Sequence, residues 1–468
     1  MSIDFKKEVE ARREDMMADL FTLLRINSER DDSKASAEFP FGPGPVAAMK
    51  KMLEIAERDG FATKNIDNYA GEFVYGDGDE TLGIFAHMDV VPAGSGWNTD
   101  PYEPQIIDGK LFARGSSDDK GPTVACYYGL KILKELGVPL SKKIKFIIGT
   151  DEESGWGDMD YYFSKEEKPD FGFSPDATFP IINGEKGMNS QYIYFGNTNG
   201  GTFALESFSA GIRENMVPES ASAVFSAAIP LADVEADFKA FKEAHGVGGT
   251  VTQAGEKIAI ELIGKSAHGA SPHLGINSAT FLAHFLEVYD FGGDAKSFLT
   301  AAGRFAWNDH DGEKLGVAAT DEKMGKLSAN PAIFNFEAGG ADNKIGINFR
   351  YPKNTSVEQI KSQLETTLAG LISEVKPNKH GHTPHYVPVE DPLVSTLLGV
   401  YEDHTGQKGS EQVIGGGTFG RLMERGVAFG AMFPGYTDTM HQANEFTDVE
   451  DLYRAAAIYA DAIYRLAK

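Results

Sequence analysis

Short apolar runs that end in residues able to carry charge or hold a cation restrict the folds open to this chain more than any other feature of it. Leu82–Phe85 leads into Ala-His87-Met-Asp89, Ile144–Gly149 into Thr-Asp-Glu152-Glu153, and Phe171–Pro175 into Asp176. Runs of this length bounded by turn residues predict buried strands. Between the first two lies Gly115-Ser-Ser-Asp118-Asp119-Lys-Gly121, followed by apolar residues at helical spacing, Val124, Tyr128, Ile132 and Leu136, which Gly137 stops. Strands alternating with helices predict an α/β fold with a mostly parallel, doubly wound sheet. An open sheet of that kind gathers its chemistry at the carboxyl ends of its strands, and that is where these polar residues fall.

A chain of 468 residues is too long for one ordinary core. Helical periodicity covers residues 4–25 and 45–58, and the α/β rhythm continues to about residue 180. After Gly184 the pattern becomes strand-rich, with helices expected near 277–289 and 357–372 and strands at 257–264, 333–337 and 346–351. Past Val387 the α/β rhythm returns, with Gly415-Gly416-Gly417-Thr418 expected to open a helix and Thr447 and Glu450 spaced as a capping box for the last one. The expected organisation is a discontinuous domain, 1–186 and 387–468, carrying an inserted α+β lid domain, 187–386.

Charge narrows the partners. Against 44 Lys and Arg stand 69 Asp and Glu, a formal net charge of −25, which argues against nucleic acid and anionic membrane as partners. No apolar run approaches the ~20 residues needed to span a bilayer. The first residues alternate charge with apolar positions and lack the features of a secretory signal. One cysteine, Cys126, permits no internal disulfide and sits on an apolar helical face, as a core residue in a reducing cytoplasm would.

The polar residues make a coherent inventory. Two divalent ions held close together need a bridging carboxylate, N or O ligands for each ion, and a base that is not a ligand. His87, Asp118, Glu152, Glu153, Asp176 and His441 supply it, with Asp118 as the shared carboxylate. Asp89, two residues past His87, is placed to accept the other imidazole N–H and fix the tautomer. Taken singly, each has an ordinary alternative: a histidine after a strand can be structural, and an acidic triplet can be a solvated loop.

The motifs Ala86-His-Met-Asp-Val-Val-Pro92, Gly115–Gly121, Thr150-Asp-Glu-Glu-Ser-Gly155, Ser174-Pro-Asp-Ala177 and Ser266-Ala-His-Gly-Ala-Ser-Pro-His-Leu-Gly-Ile-Asn-Ser278 resemble those of the M20 metallopeptidases, and among them the bacterial PepV-type dipeptidases, also called carnosinase-like or Xaa-His dipeptidases. The resemblance implies that His87 and Asp176 hold one ion, Glu153 and His441 the other, with Asp118 bridging and Glu152 as general base. It implies two zinc ions, with manganese or cobalt as alternatives, since His and carboxylate ligands suit all three. It also implies a cis peptide between Asp118 and Asp119. Asp at 176, where deacylases and carboxypeptidases of the superfamily tend to carry Glu, favours peptidase activity.

Amide hydrolysis further needs a donor for the developing oxyanion, and His268, from the inserted domain, is the candidate. A free substrate α-carboxylate needs a cation or backbone N–H groups. Arg350 offers a guanidinium fork and Gly415, Gly416, Gly417 and Thr418 offer N–H groups at a helix start. Asn215 matches a lid contact of the family. The expected activity is hydrolysis of unblocked L-dipeptides, Xaa-His among them, by a monomer whose long inserted domain replaces a dimer partner. Alternatives are an N-acyl or N-succinyl amino-acid amidohydrolase and a silent peptide-binding protein. His273 receives no role, and Lys379–His385 reads as an exposed loop or edge strand despite its three histidines.

Overall fold

The computed structural model describes residues 3–468, which divide into two compact units. The first comprises the described residues up to Gly184, with Tyr386–Gln412 and Gly417–Lys468; the second comprises Glu185–His385 and the short piece Val413–Gly416.

The first unit is built on a six-stranded sheet: β1 (Ala62–Ile66), β2 (Ala70–Tyr75), β3 (Thr81–His87), β4 (Lys143–Gly149), β5 (Phe171–Ser174) and β6 (Gly426–Ala428), in the spatial order β1-β2-β4-β3-β5-β6. The four strands β4, β3, β5 and β6 are parallel, and β1 and β2 form an antiparallel edge. Both faces are covered, as alternation along the strands requires. Leu82, Ile84, Ile144, Phe146 and Ile148 face the main core, while Phe85 and Ile147 join a smaller cluster with Met159, Tyr162 and Phe419.

Helix Lys120–Glu135 packs along helix Val449–Ala467 in the main core. Gly129 lets them approach, since a Cβ there would stand 2.8 Å from the backbone N of Ala460. The first of these helices begins at Lys120, inside the Gly115–Gly121 motif, with Asp119 at its N-cap position. Two expectations about helix starts fail. The last helix is capped by Asp448, whose side chain accepts from Glu450 N, and not by Thr447. Gly415–Thr418 leads only into a four-residue 3₁₀ turn, Phe419–Leu422, so no helix dipole stands behind its N–H groups.

The second unit is an antiparallel sheet whose main path runs Gly248–Ala254, Lys257–Ile263, Ser220–Ala227, Phe203–Ala210, Ser328–Glu337, Lys344–Tyr351, Gly187–Tyr194 and Glu374–His382. One apolar cluster joins alternate strand residues, such as Ala223, Phe225, Ile258 and Ile260, to helices Leu231–His245, Ser278–Leu286, Gly293–Thr300 and Val357–Thr367. Of the histidine-rich stretch, Lys379–His382 lies in the strand at the edge of this sheet, and His385 begins a separate short strand, His385–Tyr386. Among the described residues no helix is long and apolar enough to cross a membrane, and Cys126 is buried.

Candidate metal centre

The parallel register of β3 and β4 ends with His87 beside Gly149, so His87 and the acids that follow Gly149 leave the sheet at the same edge. β5 delivers Asp176 two residues past its own end, and the loop before Lys120 brings in Asp118. The two oxygens of Asp118 face different histidines: Oδ1 lies 3.1 Å from His87 Nε2 and Oδ2 lies 2.9 Å from His441 Nε2. Each histidine has a second carboxylate beside it, Asp176 Oδ2 at 3.7 Å from His87 Nε2 and Glu153 Oε2 at 3.2 Å from His441 Nε2. Glu152 groups with His87 and Asp176, their ligand atoms all within 4.8 Å of one another.

The supporting contacts are specific. His87 Nδ1 donates to the backbone carbonyl of Asp89 at 3.0 Å, which leaves Nε2 as the lone-pair nitrogen toward Asp118. The tautomer is therefore set by Asp89 through two oxygens, its carbonyl at 3.0 Å and, at 3.4 Å from the same nitrogen, the carboxylate expected there. The Asp89 carboxylate also accepts from Glu152 N at 3.2 Å and Glu153 N at 3.1 Å, so it holds the backbone that carries both glutamates. The Asp118–Asp119 peptide is cis, and His441 sits at φ 61°, a left-handed conformation that non-glycine residues seldom adopt.

Glu445 is the residue sequence reasoning missed. It is fully buried and pairs with the buried Arg114 at 2.6 Å. It also accepts from Gly115 N at 3.0 Å, Ser117 N at 2.8 Å, Ser117 Oγ at 3.0 Å and Asp118 N at 3.2 Å. One carboxylate thus fixes the Asp118 loop from four residues beyond His441. An acid just before Phe446 in a polar loop looks solvated in sequence, and its partner lies 331 residues away. Lys120, in the same motif, is also buried; its ammonium donates to Leu23 O at 3.1 Å and Ile26 O at 2.8 Å, and burial pushes it down to about 7.

The electrostatics ask for positive charge. Burial, followed by neighbouring carboxylates, pushes Glu152 and Asp176 well above the usual carboxylate range. Burial works against charged imidazoles, yet Asp118 with Asp89 holds His87 well above its ordinary value, and Asp118 with Glu153 raises His441 to about 11. Glu153 Oε1 is buried with no hydrogen-bond partner among the described residues. An acid-rich cluster with an unpartnered oxygen and two imidazole nitrogens turned inward is a donor set that fits divalent cations.

The remaining candidates belong to the second unit, apart from Gly417 and Thr418. His268 and Asn215 are exposed neighbours there: Gly269 N donates to Asn215 O at 2.7 Å, and Met216 bridges His268. Arg350 is buried, donating from Nη1 to Gly415 O at 2.8 Å and from Nε to Asn348 Oδ1 at 3.0 Å. Gly415 thus offers its carbonyl to Arg350, and Thr418 Oγ1 accepts from Gly420 N at 3.1 Å to cap the short turn.

Comparison with known proteins adds four findings. The model of peptidase family M20/M25/M40 matches residues 83–465. A β-Ala-Xaa dipeptidase of Lactobacillus delbrueckii subsp. lactis is 44% identical over 470 residues, spanning 100% of this chain and 99% of that protein. Among solved structures, human carnosine dipeptidase 1 matches with a TM-score of 0.58 at 15% identity over 99% of this chain and 98% of that one. Aminoacylhistidine dipeptidase from Vibrio alginolyticus matches with a TM-score of 0.58 at 13% identity over 97% and 96%. At such identities these structures speak for the fold alone.

Proposed function

The chain belongs to peptidase family M20/M25/M40, and from that premise we propose that it is a metal-dependent dipeptidase acting on unblocked L-dipeptides, with Glu152 as general base. The observation that carries this reading is the division of Asp118 between two histidines, each with its own further carboxylate. His87 and Asp176 would hold one cation, Glu153 and His441 the other, and Asp118 both. Two such cations, when bound, supply Lewis acidity that lowers the pKa of water toward neutrality and polarises a carbonyl.

The chain's own residues do the rest. Glu152 accepts a proton from the attacking water and returns it to the leaving amine, a task that suits a carboxylate already pushed upward by burial. Asp89 orients Glu152 through its backbone N–H and keeps the His87 tautomer through its carbonyl. His268 is proposed to donate to the developing oxyanion. Arg350 with Asn215 is proposed to recognise the substrate α-carboxylate, with Gly415, Gly416, Gly417 and Thr418 as backbone contacts that act without a helix dipole.

The substrate range is read as broad, including Xaa-His and, from the name of the Lactobacillus relative, β-Ala-Xaa peptides. Zinc is the proposed metal, with manganese and cobalt tested beside it. The enzyme is proposed to act as a cytoplasmic monomer, consistent with a single buried cysteine. The test is a panel of dipeptides, N-acetyl amino acids and N-succinyl amino acids, assayed on chelator-treated protein reconstituted with each metal. Dipeptide turnover restored by metal is the expected result. Cleavage confined to the acylated compounds would replace the reading with amidohydrolase, and binding of dipeptides without turnover would replace it with a silent receptor.

A further inference from the structure

A row of polar side chains crosses three neighbouring strands of the second unit: Ser190 stands opposite Asn348, and Asn348 opposite Asn330. All three are buried, at 2%, 5% and 0% exposure, so water does not compete for their bonds. Asn348 Nδ2 donates to Ser190 Oγ at 2.9 Å, and Ser190 Oγ donates to Glu214 Oε2 at 2.5 Å. Arg350 Nε donates to Asn348 Oδ1 at 3.0 Å. At the other end of the row Asn330 Nδ2 donates to Glu214 O and Met216 O, both at 3.1 Å, on either side of Asn215.

The direction of every bond in this chain is forced. A carboxylate only accepts, so the Ser190 hydroxyl hydrogen goes to Glu214 and its oxygen must accept from Asn348. The Asn348 amide is thereby turned with its nitrogen toward Ser190, which leaves its oxygen for the Arg350 guanidinium. Glu214 also accepts from the Tyr192 hydroxyl, which holds it in place. Resting on the reading of Arg350 and Asn215 as the α-carboxylate site, we propose that Ser190, Asn348 and Glu214 are positioning residues. They lock the Arg350 guanidinium and the Asn215 loop into one arrangement and so set the preference for substrates with a free C-terminal carboxylate.

The test compares kcat/KM of the metal-loaded enzyme for Ala-Leu and for its C-terminal amide. Wild type prefers the free acid and Arg350→Ala erases the preference. If Arg350→Ala keeps it, the carboxylate reading itself falls, and the proposal with it. If that control behaves, Ser190→Ala and Asn348→Ala each lower the preference about tenfold, the effect of losing one hydrogen bond to a charged group. The loss appears in KM for the acid, and the amide changes less than twofold. The double variant loses no more than the larger single one, because both break one chain. An unchanged preference, or an equal loss on both substrates, overturns the proposal. Should the buried variants fail to fold, Glu214→Gln at the half-buried end of the chain decides the same question.

Discussion

Glu152 and Glu153 are adjacent and chemically alike, yet their surroundings separate them. Glu153 faces His441 at 3.2 Å, whereas Glu152 groups with His87 and Asp176. On the proposed assignment of Glu152 as base and not ligand, Glu152→Ala is expected to keep both metal ions and lose about 10²–10⁴-fold in kcat, the usual worth of a positioned base. Metal analysis beside kinetics checks it, and loss of an ion in that variant would make Glu152 a ligand. His268→Ala should lower kcat about 10²–10³-fold with metal content unchanged, and an unaltered kcat would remove it from the reaction. Part of the cluster was legible in sequence because His87, Glu152, Glu153 and Asp176 each follow a strand-like run, whereas Asp118 and His441 come from loops. What was not legible is the work of Asp89: backbone and side-chain oxygens of one residue serve two different partners, and spacing alone does not divide those duties.

Among the elements, those with strong periodicity were readable and their ends were not. Lys143–Gly149 is the strand its apolar run predicts, because a strand covered on both faces tolerates little else. Helix Leu231–His245 escaped notice because only Val234 and Phe238 are buried on it, too thin an apolar stripe to register. The last helix shows the same limit at its cap, where Thr447 and Asp448 are adjacent acceptors and only geometry chooses Asp448. Asp448→Ala should therefore cost about 1 kcal/mol and lower Tm, while Asp448→Ser should stay close to wild type; thermal melts distinguish them. The Asp118 loop depends on a partner that periodicity cannot show. Glu445→Gln leaves the buried Arg114 without its counter-charge, so a loss of about 3–5 kcal/mol is expected. A metal affinity lower by about 10–100-fold should accompany it, measured by chelator competition. Stability loss with unchanged affinity would mean that Glu445 supports the fold and not the site.

For the whole molecule, the two-unit division follows a change of pattern that composition does not record, whereas the response to acid follows from charge. With a formal net charge of −25 the chain relies on carboxylates held ionised by fixed cations. Asp59 is the clearest case. It accepts from Arg58 Nε at 2.8 Å and Arg58 Nη2 at 2.8 Å, from the Tyr127 hydroxyl at 2.6 Å, and faces Lys131 Nζ at 2.8 Å. Burial alone would raise its pKa, but Arg58, Lys131 and Tyr127 outweigh burial and hold it below the usual range. A depressed carboxylate stabilises the folded state fully above its unfolded pKa of about 3.9, and that contribution disappears as pH falls toward the folded value. Asp59→Asn should accordingly melt at a lower temperature than wild type by a margin that is constant from pH 8 to about pH 5 and narrows below about pH 4. The measurement is paired calorimetry of the two proteins across that range, each at fixed metal and salt concentration so that linked binding does not shift the baseline. A margin that widened as pH fell would require a group with the opposite displacement, and would take Asp59 out of the account of acid stability.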